Sequence, residues 1–141
     1  MSFEIQRREQ DGVVILAPDG RLALGEALEA FRASMEGLLA EGATRVVLDF
    51  RRVDYIDSSG LGCLVVSHTR MARAGGAMPI FGLNRRALEL MVITKLSTVF
   101  RIAESEMDAV NMCYPERQTK AFDILSFVEQ QRKSRAGNGE E

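Results

Sequence analysis

Residues 45–62 read Arg45-Val46-Val47-Leu48-Asp49-Phe50-Arg51-Arg52-Val53-Asp54-Tyr55-Ile56-Asp57-Ser58-Ser59-Gly60-Leu61-Gly62, and the fold turns on how this stretch divides. Its first six residues carry β-branched side chains on both faces, the pattern of a central strand covered on both sides or paired within a parallel sheet. After a short loop, Leu61, Leu64, Val65, His68, Met71 and Ala72 repeat at helical spacing until Gly75-Gly76 stops them. Ser58 or Ser59 is placed to cap that helix. A strand feeding a helix through a small-residue loop is a unit of an α/β sheet.

Upstream, Phe3-Glu4-Ile5-Gln6 alternates with period two, and Gly12–Pro18 is apolar and β-branched up to Asp19-Gly20, a turn signal. Two N-terminal strands paired as a hairpin are expected. Leu28, Phe31, Met35, Leu38 and Leu39 mark one face of a first helix that stops at Gly42. Downstream, Met78–Leu83 reads as a short strand, Asn84 caps a helix through Leu88 and Met91, and Val99–Ile102 gives a last short strand. Ser105-Glu106-Met107-Asp108 has the form of a capping box, opening a helix that Pro115 ends. The alternation predicts a single α/β domain over residues 1–114. Beyond it, Phe122, Ile124, Leu125 and Val128 form an apolar stripe on an expected helical extension over 115–133, and residues 134–141, without an apolar anchor, are expected to be a disordered tail.

At 141 residues, with 46% hydrophobic and 27% charged side chains, the chain is long enough to bury a core without disulfides or a structural metal. Eighteen basic against twenty acidic residues leave a net charge of −2, which argues against nucleic acid as a partner. No apolar run approaches the roughly 20 residues that cross a bilayer, so no membrane partner is expected. Cys63 and Cys113 sit in apolar runs, and MSFEIQRREQ has neither an apolar signal core nor a basic flank. A cytoplasmic protein with reduced thiols is the expectation.

The chemistry-bearing constellation is Asp57-Ser58-Ser59-Gly60-Leu61-Gly62, because a helix start offers free N–H groups and the positive end of the dipole to an anion. On the residues alone, a plain cap with packing glycines fits equally well. Serine hydrolysis is disfavoured: Ile56 and Asp57 stand where a nucleophile elbow needs glycine, and His68, at about 1.5 Å per residue, stands roughly 15 Å from Ser58. His68, Cys63 and Val66 are expected to pack on their helix. One histidine and two distant cysteines make no zinc set, so neither metal nor cofactor is expected. Asp49, Asp54 and Asp57 suggest a receiver-like magnesium site, but Ala17-Pro18-Asp19 and Ile102-Ala103-Glu104 supply neither the acidic pair nor the lysine that site needs. Gly60-Leu61-Gly62 also fails the dinucleotide fingerprint, since Val65 stands at the third glycine.

Gly20-Arg21-Leu22, Val46–Phe50, Val53–Gly62, Lys95-Leu96 and Val99–Ile102 together resemble the STAS-domain family of anti-sigma factor antagonists, across about Phe3 to Tyr114. The resemblance implies a mixed four- to five-stranded sheet with helices packed mainly on one face. It implies a binding module of a bacterial partner-switching pathway and not an enzyme. The unphosphorylated form would bind an anti-sigma factor that is also a serine kinase, releasing the sigma factor and regulating transcription. Phosphorylation at Ser58 would abolish binding, and a PPM-type phosphatase would reverse it. By the same resemblance Asp57, Ser59, Gly60 and Leu61 would frame the acceptor and contact the partner, with Asp54 and Tyr55 adjoining. Family members often carry aspartate where this chain has Ala23. A monomer or weak homodimer is expected. The rival readings are a scaffold component of a larger sensory assembly and a switch with a non-transcriptional output.

Overall fold

Asp11 and Gly12, at φ 54° and 76°, form the two-residue turn that folds β1 (Glu4–Gln10) antiparallel onto β2 (Val13–Leu22). Positive φ at both central positions suits the right-handed twist of a hairpin, which explains the Asp-Gly pair here. The computed structural model describes residues 3–117 and 122–131. Asp19-Gly20, expected as a turn, instead lies inside β2, where the register shifts between Gly20 and Arg21 and the strand continues.

That irregularity lets one long strand serve two partners. β3 (Val46–Asp49) runs parallel to β2 over Val14–Leu16, and β4 (Arg52–Ile56) runs parallel to it over Asp19–Leu22. Between them a tight turn, with the Val53 N–H donating to the Phe50 carbonyl at 3.1 Å, steps the chain sideways. β5 (Ile80–Phe81) follows β3 and β6 (Ile102–Ala103) follows β5, giving the order β1-β2-β3-β5-β6 with β4 beside β2. The sheet therefore has six strands against the four to five expected, because residues 52–56 are a strand and not a loop.

Alternation divides the core between the two faces of the sheet. Leu16, Leu48, Ile80 and Ile102 face α1 (Glu26–Ala40), α2 (Ser58–Arg73) and α3 (Arg85–Ile93), meeting Phe31, Leu38, Leu64 and Met91. Ile15, Val47, Phe81 and Ala103 face α4 (Glu106–Met112) through Ala109, Val110 and Met112. Full burial of each large aliphatic or aromatic side chain contributes about 1.5–3 kcal/mol, so the three-helix face carries most of the hydrophobic stabilisation. α4 starts on the Ser105 cap and closes at Cys113, before Pro115 is reached.

The chain then returns to the main core. The Phe122 N–H donates to the Ile102 carbonyl at 3.0 Å, and a helical segment over 124–131 buries Ile124 and Val128 while Leu125 stays exposed. That hydrogen bond covers the outer side of the edge strand β6. At the other edge, β1 presents Glu4, Gln6, Arg7, Glu9 and Gln10 to solvent. Residues 134–141, expected as a tail, lie outside the described residues.

Candidate functional site

Asp57, and neither serine, caps α2. Its backbone is extended, its Oδ1 accepts the Gly60 N–H at 2.7 Å, and its Oδ2 accepts the Leu24 N–H at 3.0 Å. One carboxylate thus satisfies an orphan donor of the first helical turn and ties the loop between β2 and α1 to it. The Leu24 and Gly60 amides, with a lesser contribution from the Ser59 amide and nearby Arg21, hold this carboxyl below the usual aspartate range against the opposing effect of burial.

The cap is locked from beneath. The Asp57 N–H donates to the Leu22 carbonyl at 3.3 Å, and a Cβ added at Gly60 would lie 2.2 Å from that same oxygen. Only glycine permits this approach, because the obstacle is backbone and cannot swing away. Leu61 is 8% exposed and packs inward with Gly60.

With Asp57 doing the capping, the serine hydroxyls are left over. Ser58 is exposed at the first position of α2, Ser59 is half-buried, and neither hydroxyl has a hydrogen-bond partner among the described residues. Asp54 and Tyr55 lie exposed on β4, and the Arg21 guanidinium stacks 4.5 Å from the Tyr55 ring centroid. The expected site residues therefore divide: Asp54, Tyr55 and Ser58 face outward, Asp57 and Ser59 are intermediate, and Gly60 and Leu61 form the support. Sequence reasoning did not single out Leu24, which is 77% exposed beside Asp57, or Arg21. The signal available was an apolar residue just before helix one that belongs to neither helical stripe. Val66, expected to pack, is 58% exposed. Ala23 is half-buried in the loop that Asp57 holds.

The three aspartates near the ends of β3 and β4 do not converge. Asp49 turns to the α4 face, where its Oδ1 accepts from Arg51 Nε at 3.0 Å and its Oδ2 accepts from Arg51 Nη2 at 2.8 Å and Arg8 Nη2 at 3.3 Å. Glu106 pairs with the same Arg8 and lies 3.7 Å from Arg51. Burial works to raise the Asp49 carboxyl, but the Arg51 and Arg8 contacts together hold it below its ordinary value. Among the described residues no group of three His, Cys, Asp or Glu side chains gathers to hold a metal ion. His68 lies farther along α2 with its ring edge-on to Phe100, centroids 5.5 Å apart. Among the described residues no helix is long and apolar enough to cross a membrane.

Residues 4–109 match the family model described as STAS domain. An anti-sigma-B factor antagonist of Listeria monocytogenes is 31% identical over 118 residues, covering 79% of this chain and 97% of its own. A crystal structure of an anti-sigma factor antagonist from Mycobacterium paratuberculosis superposes with a TM-score of 0.71 at 19% identity, over 79% of this chain and 94% of the other. The phosphorylated form of the Bacillus cell fate determinant SpoIIAA superposes with a TM-score of 0.60 at 20% identity, over 79% of this chain and 98% of the other.

Proposed function

This chain belongs to the STAS-domain family, and from that membership we propose that it is an anti-sigma factor antagonist switched by phosphorylation of Ser58. Unphosphorylated, it binds an anti-sigma factor that is also a serine kinase and so frees a sigma factor. The kinase transfers the ATP γ-phosphoryl group to the Ser58 hydroxyl, with loss of the hydroxyl proton, and a PPM-type phosphatase hydrolyses the ester. The protein is ligand and substrate in this scheme and not the enzyme.

The observation that carries the reading is the exposed, unpartnered Ser58 hydroxyl at the first position of a helix whose cap is already supplied by Asp57. Acceptance of phosphate there breaks no internal bond. The helix dipole favours the new anion by about 0.3–1 kcal/mol, so the fold survives modification. The added charge of about −1.5 to −2 sits beside the fixed carboxylate of Asp57 and near exposed Asp54, on the surface that Leu24 and Tyr55 offer to a partner. A partner docked there must desolvate that charge, which costs several kcal/mol when unpaired and lowers affinity by about two decades or more.

The test is phosphotransfer from a kinase of this class followed by mass spectrometry and binding measurements. Ser58→Asp should keep the circular dichroism spectrum and Tm of the parent yet lose kinase binding. Ser58→Ala should bind and accept no phosphate, and Ser59→Ala should remain a substrate. Phosphate mapped to Ser59 alone overturns the assignment.

A further inference from the structure

We propose that the groove between α1 and α2 is a binding site for a medium-chain carboxylic acid, with apolar walls for the chain and the Ser67 hydroxyl and Arg32 guanidinium for the head. The groove encloses about 430 Å³, within the range of small-molecule sites. Leu28, Met35 and Leu39 of α1 form one wall and Val66 of α2 the other.

Two features of α2 distinguish this groove from a gap between packed helices. Ser67 is a polar residue only 5% exposed, it lines the groove, and its hydroxyl has no hydrogen-bond partner among the described residues. No fully sealed polar side-chain atom among those residues lacks a partner, so this hydroxyl remains reachable on a residue that lines the groove. Buried hydroxyls are ordinarily satisfied, and one left open toward a cavity marks where a ligand oxygen fits. The second feature is Gly62, which lines the same groove and where an added Cβ would meet nothing within 4 Å. Glycine inside a helix is destabilising by roughly 0.5–1 kcal/mol relative to alanine, and here no clash demands it. What it does is leave the wall open.

The sign of the head group follows from the rim. Arg32, Glu36 and Arg70 line the rim: Glu36 is paired with Arg70, while Arg32 has only a 3.6 Å contact with exposed Glu29. A carboxylate bound near Ser67 would draw Arg32 from its loose, exposed pair with Glu29, with its chain running toward Leu28 and Ser59. An ammonium head would find both nearby carboxylates, Glu29 and Glu36, already paired with Arg32 and Arg70.

The inference goes beyond the Ser58 reading and stands or falls separately, because its test needs neither kinase nor phosphate. Sodium decanoate, kept below its micelle concentration, is titrated into the intact protein while the methyl resonances of Leu28, Met35, Leu39 and Val66 are followed by NMR. Saturable shifts confined to those methyls are expected. Ser67→Ala should weaken binding about ten- to a hundredfold, the worth of one hydrogen bond to a charged acceptor. Gly62→Leu, which fills open space, should abolish binding while the protein stays folded, and Val66→Gln provides a second blocking variant. Decyltrimethylammonium should bind at least about tenfold more weakly than decanoate. Absence of saturable shifts, shifts unchanged by both blocking variants, or equal affinity for the ammonium compound would overturn the proposal. If Gly62→Leu instead abolished kinase capture while decanoate gave no shift, the groove would belong to a protein partner and the ligand assignment would fail.

Discussion

Asp49 and Asp57 end successive strand segments, both are held in the ionised form, and they are held in opposite ways. Asp49 is nearly buried, with its side chain 6% exposed, and is satisfied chiefly by the guanidinium groups of Arg51 and Arg8. Asp57 lies toward solvent and is satisfied by backbone amides of Leu24 and Gly60. Guanidinium pairing neutralises a carboxylate and clamps two faces together, here the sheet and α4. Amide pairing leaves a net negative charge standing at a helix start. The first arrangement suits an anchor, and the second a surface whose charge is about to be changed.

If α2 is held by its core side and Asp57 merely sets its start, the largest effect should come from beneath the helix. Leu64→Ala, at a position 0% exposed, is expected to cost about 2–5 kcal/mol in urea unfolding, with half-buried Val65→Ala costing less. A Leu64→Ala midpoint equal to that of the parent would show that the cap, not the core, holds the helix. Next in size, Asp49→Ala removes one of the two carboxylates that Arg8 and Arg51 share, leaving them Glu106 alone. Both arginines are partly solvated, at 39% and 60% side-chain exposure, so the expected loss is about 1.5–3 kcal/mol and not the larger cost of an isolated buried charge.

The pH response sharpens the contrast. Each carboxyl has a folded value below its unfolded one, about 3.9, so each contributes stability that is full above that value and lost as pH falls through the folded one. Between pH 5 and 2 the parent should therefore lose stability more steeply than Asp49→Asn, measured by urea midpoints at each pH. Identical slopes would mean that Asp49 is not a stabilising ion. The smallest effect on stability belongs to Asp57→Ser. A serine keeps one acceptor for the helix but cannot also reach Leu24, so the Leu24 amide should exchange its hydrogen faster while the Tm changes little. Unchanged Leu24 exchange would sever the link between the loop and the cap.

How much of this was readable in the residues depends on whether the signal was local. Helix periodicity placed Leu28, Phe31 and Met35 on one buried face, and Leu64 and Met71 on another, because each pattern is complete within its own segment. The strand at 52–56 was hidden because its partner is the far half of β2, which begins at an Asp19-Gly20 pair that has turn chemistry, and because only Val53 and Ile56 are buried in it. The cap was hidden for a different reason. Aspartate and serine are comparable capping residues, and three of them stand in a row at 57–59, so only the geometry could choose. Exposed Leu24 owes its place to a contact 33 residues away in the chain, which no local pattern encodes.

The hydrogen bond from Phe122 to Ile102 has a consequence for how the molecule behaves in a crowd. An uncovered strand edge is a template on which another chain can add itself, and proteins blunt such edges with charge or with a covering segment. Here the two ends of the β1-β2-β3-β5-β6 path use one device each: charged and amide side chains along β1, and the returning chain over β6. A protein clipped ahead of residue 122 would bare the Ile102 carbonyl together with the apolar surface under Ile124 and Val128. Such clipped material should self-associate and precipitate at concentrations where the intact chain stays dispersed.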